Sequence, residues 1–281
     1  MQRRFIRWLV FCFLGALLAF LLLDIFFPRL PARLFSAVSH RLALSSPRTN
    51  NLAARSYPGM PKIFLWAWER PEDLSFIDPQ KVGVAFLAKT IDIYDNKLII
   101  HPRLQPMKVP PGTWLIGVVR IETAGKLQLA LSPDQMKRAT ENILGVCGIT
   151  GVRGIQIDFD VKVSERKFFT ELIDSLHSKL PDSIPLTITA LASWCIYDTW
   201  IADLPVADAV PMIFRLGPDH DEIFRYLASG RKFVPPICQE SIGISTDEPL
   251  PQIPRGSRLY IFTPHSWTSQ AFQSIMEKID L

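Results

Sequence analysis

Two aspartates one residue apart are the strongest chemical feature of the sequence. Every second residue of the run Gly154–Asp160 is apolar, so a β-strand there turns Gln156, Asp158 and Asp160 to the same face. Two carboxylates about 7 Å apart on one face repel each other, which raises the pKa of one and suits it to donate a proton. We therefore predict acid catalysis, with Asp160 as general acid and Asp158 tuning it. In the structural alternative, Asp160 caps the next helix or both aspartates pair with Arg215 and Lys89.

The remaining candidate residues follow the other predicted strands. Glu122, Glu69 or Glu240 is the candidate second catalytic carboxylate. The candidate substrate-binding residues combine aromatic rings that suit sugar faces with polar groups, and they are Trp68, Arg70, Gln156, Trp194, Arg215, Glu240 and Trp267. Glu69 and Arg70 equally fit a salt bridge that closes a loop. Because no cluster has metal-ligand spacing and no glycine-rich loop joins a strand to a helix, we expect no metal and no cofactor.

Eight short apolar runs position these residues. They are Ile63–Trp68, Val82–Ala88, Trp114–Ile121, Gly154–Phe159, Leu186–Leu191, Ala209–Phe214, Phe233–Cys238 and Arg258–Phe262. Helical periodicity follows some of them, after Ser132-Pro133, from Phe168 to Leu180 and from Ala271 to Ile279. Eight strands alternating with helices over about 220 residues predict an α/β fold, a (β/α)8 TIM barrel, whose active site lies at the C-terminal ends of the strands.

Some connections of this barrel are predicted to be reduced. The segments after the second, fifth and seventh strands lack helical periodicity, and Ile91–Ile100 fits a β-hairpin that turns at Asp95-Asn96. If Cys195 and Cys238 end the fifth and seventh strands, the sixth strand separates them by more than a disulfide can span. We therefore expect both cysteines to be free, buried thiols.

The N-terminus carries a predicted transmembrane helix. An apolar run from Ile6 to Phe27 follows Arg3 and Arg4, and it is long enough to cross a bilayer. A cleavable signal peptide is the alternative. We therefore divide the chain into an anchor or signal at 1–27, a juxtamembrane linker at 28–60 and a barrel domain at 61–281. Long C-terminal domains translocate largely regardless of flanking charge, so we expect a membrane-anchored protein with its barrel exported.

The net charge of +4 is divided unevenly along the chain. Residues before Pro61 include eight Arg, no Lys and one acid, Asp24, which gives a charge of +7 that suits anionic lipid headgroups. The rest of the chain holds 23 Lys and Arg against 26 Asp and Glu, a charge of −3. The predicted barrel is therefore mildly acidic, and we expect no nucleic-acid partner.

Four runs of the predicted barrel carry a resemblance to a known family. They are Ile63–Leu74, which contains W-x-W-E-R-P-E-D-L, Gln156–Asp160, Thr187–Cys195 and Val210–Arg215. Together they resemble a bacterial family of exported proteins described only as a domain of unknown function. The likeness covers residues 61–281, and it implies a bacterial cell-envelope protein with its barrel on the periplasmic or extracellular side.

The fourth strand also resembles the signature D-G-x-D-x-D-x-E of glycoside hydrolase family 18, the chitinase-like barrels. The last Asp of that signature falls on Asp158 and the catalytic Glu on Asp160, whereas its two earlier acids fall on Arg153 and Gln156. The family's M-x-Y-D motif falls on Met212–Arg215, which lacks the Tyr and the Asp. The resemblance implies that Asp160 protonates the leaving oxygen of a polysaccharide or peptidoglycan-like glycan, with part of the clamp for the substrate's acetamide group absent.

Three functional hypotheses remain open at this point. The first is a cell-envelope glycosidase that uses Asp158 and Asp160. The second is a non-catalytic barrel that binds a glycan through Trp194 and Trp267, which the missing signature acids favour. The third is an envelope assembly protein that docks through the hairpin Ile91–Ile100.

Overall fold

The computed structural model describes residues 57–94, 97–124 and 132–279. The predicted transmembrane helix and almost all of the predicted linker lie outside these residues, so both remain predictions. Within the described ranges, no helix is long and apolar enough to cross a bilayer.

Eight parallel strands of the described chain close a barrel, as the sequence predicted. They are β1 Ile63–Ala67, β2 Val82–Tyr94, β3 Leu115–Ala124, β4 Val152–Asp158, β5 Leu186–Leu191, β6 Asp208–Met212, β7 Ser241–Ser245 and β8 Arg258–Phe262. Neighbouring strands in the wall follow chain order, and β1 pairs with both β8 and β2. The sheet therefore has no open edge between its first and last strands.

Helices cover the outside of the barrel, and those after the third, fourth and eighth strands were predicted from the sequence. They are α1 Pro133–Leu144, α2 Arg166–Lys179, the short α3 Ala192–Ile196, α4 His220–Ala228 and α5 Ser269–Lys278. Ser132 caps α1, since its Oγ accepts a hydrogen bond from the backbone N–H of Gln135, whose side chain accepts one from the N–H of Ser132. This reciprocal capping box and Pro133 at the first helical position fix where α1 begins.

The reduced connections also agree with the sequence. β2 continues beyond Ala88 and pairs antiparallel with the strand Lys97–Pro102, from Lys89 opposite Pro102 to Tyr94 opposite Lys97. This pairing confirms the hairpin, whose turn residues lie outside the described ranges. The fifth connection holds only α3, and the seventh has no helix among the described residues. The first connection is also non-helical, which we did not predict.

Alternation along the strands divides the core into two layers. Outward side chains such as Ile155 and Ile157 pack beneath the helices. The barrel interior is filled by Phe64, Trp66, Ala85, Trp114, Ile116, Val118, Val210 and Tyr260. The rings of Phe64 and Tyr260 stack with their centroids 5.0 Å apart. A Cβ atom at Gly83 would lie 2.3 Å from the Phe64 ring, so this position requires glycine.

The predicted position of the seventh strand was wrong. The run Phe233–Cys238 forms a loop that ends in a 3₁₀ turn at Pro236–Cys238, because Pro235 and Pro236 cannot donate to a strand ladder. The strand is Ser241–Ser245 instead, and Glu240 precedes it. Since all eight strands are parallel, Glu240 lies at the N-terminal end of the barrel.

This shift also changes the account of two cysteines. Cys195 and Cys238 are buried and free, as expected. The reason given from the sequence was wrong, because Cys238 does not end a strand. The two thiols instead lie close to each other, and the pKa of Cys195 is raised mainly by burial and further by its neighbour Cys238.

Candidate functional site

A cleft of about 490 Å³ opens at the C-terminal end of the barrel. Three carboxylates, two guanidinium groups and several aromatic rings line it, among them Trp66, Trp68, Arg120, Asp158, Asp160, Thr189, Phe214, Arg215, Asp219 and Phe262. Ligands of parallel α/β barrels bind at this end, so the cleft is the candidate functional site.

Asp158 ends β4 and turns inward, as the alternation predicted. Its side chain is 13% exposed, and its Oδ2 lies 3.6 Å from Nη1 of Arg120. The hydroxyl of Thr189 donates a hydrogen bond of 2.7 Å to its Oδ1. Burial raises the pKa of Asp158 above its ordinary value, although Thr189 and Arg120 act to lower it, and the charges of Asp160 and Glu122 add to the rise. Asp158 therefore retains a proton more readily than an ordinary aspartate.

Asp160 lies two residues further on, exposed in the cleft. Within the described part of the chain it makes no hydrogen bond or ion pair, so it neither caps a helix nor pairs with a cation. The suggested pairings with Lys89 and Arg215 are also absent. Lys89 donates to the carbonyl of Asn142 at 2.9 Å, and Arg215 forms ion pairs with Asp247 and Glu248. From the sequence, we attributed a raised pKa of one aspartate to repulsion between the two carboxylates. In the structure, burial is the main cause, and it acts on Asp158.

Arg120 lies beside Asp158 in the register of β3 and β4. Its Nε donates a hydrogen bond of 2.6 Å to Oε1 of Glu122, and its guanidinium carbon lies 5.6 Å from the ring centroid of Trp68. Glu122 is exposed and is not among the residues that line the cleft. The structure therefore places Glu122 against Arg120 rather than as a second carboxylate inside the cleft.

Arg215 also lines the cleft. Its Nη2 donates to Asp247 at 2.7 Å, and both its backbone N–H and its Nη1 donate to Glu248. Its φ of 56° is in the left-handed region that non-glycine residues rarely adopt, and these contacts hold it there. Because two carboxylates occupy the guanidinium, Arg215 forms part of the wall rather than a free anion-binding group.

Aromatic rings form the rest of the cleft surface. Phe214 and Phe262 stack with centroids 5.5 Å apart and planes 1° apart, and Trp68 meets Phe262 edge-on at 6.3 Å. Trp66 forms the floor, and its indole Nε1 donates a hydrogen bond of 2.9 Å to Oε1 of Gln156. Half-buried rings such as Trp68, Phe214 and Phe262 are the kind of surface on which sugar rings stack.

Three predicted substrate-binding residues are buried elsewhere. Gln156 is fully buried beneath Trp66 and does not reach the cleft. Trp194 lies in α3 with its ring 5.2 Å from that of Trp200. Trp267 is 3% exposed, and its Nε1 donates to the backbone carbonyl of Trp66 at 2.9 Å. All three are therefore packing residues near the barrel mouth and do not line the cleft.

The remaining predicted site residues that do not line the cleft lie in loops. Arg70 donates to the carbonyls of Thr263 and Pro264 at 2.7 and 2.6 Å and to Glu72 at 3.1 Å, so it clamps the first and last loops together. Glu69 is exposed and accepts a hydrogen bond from a backbone N–H. Glu240 lies at the opposite end of the barrel from the cleft. Arg70 does form a loop salt bridge, as the sequence alternative suggested, but its partner is Glu72 and not Glu69.

Sequence reasoning missed several residues of the cleft. Arg120 and Thr189 could have been found from the same alternation as Asp158, because Val118 and Arg120 share the inward face of β3. Phe262 ends β8 and Asp219 directly precedes α4. In the described ranges, no group of three or more His, Cys, Asp or Glu residues is arranged to hold a metal ion.

Together these features define the class: a closed parallel β/α barrel with an aspartate pair and aromatic rings at its C-terminal mouth. Two solved structures are similar to it in fold. The Bacillus cereus spore cortex-lytic enzyme SleL is 16% identical, with a TM-score of 0.43, and the match covers 67% of this chain and 52% of that one. The chitinase domain of the Clostridium difficile spore coat protein CotE is 14% identical, with a TM-score of 0.41, over 71% of this chain and 68% of that one.

This chain therefore spans about half the length of the SleL chain. No family model matches it, and no curated protein matches it in sequence. At these identities the likeness concerns the fold alone.

Proposed function

We propose that the barrel is a glycoside hydrolase-like domain that binds a glycan in the cleft and cleaves it by acid catalysis from Asp158 and Asp160. One observation carries this proposal: two carboxylates with unlike surroundings meet in one aromatic-lined cleft. Asp158 is enclosed and Asp160 is exposed. Pairs of carboxyl groups whose surroundings separate their pKa values divide the acid and charge-stabilising roles between them.

The two aspartates have complementary parts in this mechanism. Asp158 retains the proton of the pair, because burial raises its pKa and Thr189 holds its carboxyl group in place. Asp158 donates this proton to the glycosidic oxygen as its bond to the sugar carbon breaks. Asp160, from its exposed position, accepts a proton from the water molecule that adds to that carbon, and proton exchange with solvent then restores the pair. Trp68 and Phe262 supply faces on which a sugar ring stacks. The proposed substrate is a polysaccharide or peptidoglycan-like glycan.

The test is the release of reducing ends from peptidoglycan and from chitin-type polymers by the full chain. Removing a general acid or a general base costs on the order of 100-fold or more in rate, so Asp158→Asn and Asp160→Asn should both lose that much. Asp174→Asn changes an exposed aspartate of α2 outside the cleft and should keep full activity. Full activity of Asp160→Asn would remove Asp160 from the mechanism.

The pH dependence gives a second readout. Because burial raises the pKa of Asp158, the pair should keep its proton to a higher pH than an exposed carboxyl group does. Activity should therefore be present on the acidic side and fall as rising pH removes that proton. If the same decline with pH persists in the residual activity of Asp158→Asn, it has another origin.

A glycan-binding barrel without catalysis is the second candidate. The observation in its favour is that Glu122, Glu69 and Glu240, the predicted second carboxylates, do not line the cleft. This candidate expects glycan binding with no release of reducing ends and no effect of Asp160→Asn. The same assay, combined with a pull-down on insoluble glycan, separates the two functions.

The location of the barrel is also a proposal. The apolar run Ile6–Phe27 would hold the chain in a bacterial membrane and leave the barrel on the exported side. Resistance to alkaline extraction and digestion of the barrel by protease added to spheroplasts are the expected results. Release into the soluble fraction after removal of the run by signal peptidase would support the cleaved alternative.

A further inference from the structure

The charged group beside Asp158 is the guanidinium of Arg120, and a second carboxylate controls where it lies. Nε of Arg120 donates to Glu122 at 2.6 Å, whereas its Nη1 is 3.6 Å from Oδ2 of Asp158, which is a long ion pair without a hydrogen bond. The two residues are direct neighbours in the register of β3 and β4. A guanidinium this close to a carboxylate frequently forms a shorter ion pair with two hydrogen bonds.

Such an ion pair would change the chemistry of the cleft. A carboxylate paired with arginine is held in its charged form, so it does not carry a proton near neutral pH. We propose that Glu122 is a positioning residue: its carboxylate holds the Arg120 guanidinium to one side and leaves Asp158 free to carry the proton. This inference rests on the proposed function of the cleft. Glu122 touches no reacting group itself.

The surroundings of Asp158 support this arrangement. The groups that face it from β3, β4 and β5 are Arg120, Glu122, Asp160 and Thr189, while Arg215 and Asp219 lie elsewhere in the cleft lining. The guanidinium carbon of Arg120 lies 5.6 Å from the ring centroid of Trp68, which is a second contact that holds this guanidinium. Arg120 is thus the cation that lies within reach of the Asp158 carboxyl group.

The experiment follows the proton on Asp158 directly. The full chain, labelled in its aspartate carboxyl groups, is titrated by NMR, and the Asp158 signal is identified by its loss in Asp158→Asn. Glu122→Ala should move the Asp158 titration midpoint to lower pH, because the released Arg120 closes on the carboxylate. Glu141→Ala is the matched control, since it removes another ion-paired glutamate, on α1, and should leave the midpoint unchanged. An unmoved midpoint in Glu122→Ala overturns the proposal.

Repeating the comparison in a second variant separates two explanations for a shift of the Asp158 midpoint: the positioning of Arg120 and direct repulsion by the Glu122 charge. Glu122→Ala also removes a negative charge near Asp158, so the comparison is repeated in Arg120→Met. If Glu122 acts by holding Arg120, its removal should there move the midpoint much less than in the wild type. An equally large movement means that Glu122 acts by its own charge, and it refutes the positioning role. Circular dichroism checks that each variant is folded, and Arg120→Gln replaces Arg120→Met if that chain is not.

The outcome is independent of whether the cleft is catalytic. If the midpoint moves as expected but no glycan is cleaved, the proposed function fails and the positioning of Arg120 stands. If a glycan is cleaved and the midpoint does not move, the positioning role alone fails. In an active chain, Glu122→Ala should also move the decline of the pH–rate profile to lower pH, whereas Glu141→Ala should not.

Discussion

Replacing Asp208 by asparagine should stabilise the protein at neutral pH and not in acid. Asp208 begins β6 at the end of the barrel opposite the cleft, and it is 4% exposed. The hydroxyl of Ser241 donates to its Oδ2 and Arg258 lies 3.7 Å from the same oxygen, but Oδ1 has no partner among the described residues. Burial outweighs both of these contacts and raises the pKa of Asp208 to about 7.

The size of the effect follows from this shift. The folded chain holds the proton of Asp208 up to about pH 7, whereas the unfolded chain releases it near 3.8. Stability from this group is therefore fully present below the unfolded value and is lost as pH rises toward the folded one. About three pKa units at 1.36 kcal/mol each correspond to about 4 kcal/mol of lost stability above neutral pH. Asparagine resembles the neutral acid and has no such loss.

Urea unfolding of Asp208→Asn and the wild type at about pH 4 and about pH 8 measures this difference. The gain in unfolding free energy of the variant should grow by up to about 4 kcal/mol between the two conditions. Asp203→Asn is the control, because it changes an exposed aspartate of the same region and should show no such growth. If the difference between Asp208→Asn and the wild type is the same at both pH values, the reasoning from burial is wrong.

Two further predictions concern the packing of the barrel interior. Gly83→Ala should destabilise the chain by about 1 to 3 kcal/mol, because its Cβ would overlap the Phe64 ring, whereas Gly148→Ala, with no atom within 4 Å, should cost much less. Equal melting temperatures of these two variants would contradict this packing. Trp66→Phe should cost about 1 to 3 kcal/mol by leaving the Gln156 oxygen without its donor. In the Gln156→Leu background the same change should cost clearly less, and equal costs in chemical unfolding would rule out the hydrogen bond as the cause.

The regular part of the fold was predictable because its strands are apolar in their own sequence. Leu186–Leu191 and Arg258–Phe262 were found with the correct bounds. β7 was missed because its inward positions are small: Gly243 lies against Trp66, where a Cβ atom would be 3.1 Å from the indole ring. The large apolar side chain at this point of the barrel interior is Trp66 of β1, so β7 itself lacks the apolar pattern of a core strand.

The candidate site was predictable where backbone alternation decides the direction of a side chain. Asp158 and Asp160 follow from the period of the fourth strand. Trp194 and Trp267 do not, because they lie beyond strand ends, where no period applies. Trp267 turns back to bind the carbonyl of Trp66, and Trp194 enters the single turn of α3. Proximity to a strand end thus indicated the correct region of the barrel but not which side chains face the cleft.

The filled interior of the barrel limits how a polymer can use the cleft. Trp66 closes the floor and is bonded to Gln156, and the stacked rings of Phe64 and Tyr260 lie within the same inner cluster. Under the proposed function, a glycan bound in the cleft therefore cannot thread along the barrel axis, and it must enter and leave by the same opening. A product fragment that stays on the aromatic surface blocks the next segment of polymer, so accumulating oligosaccharide should inhibit turnover competitively.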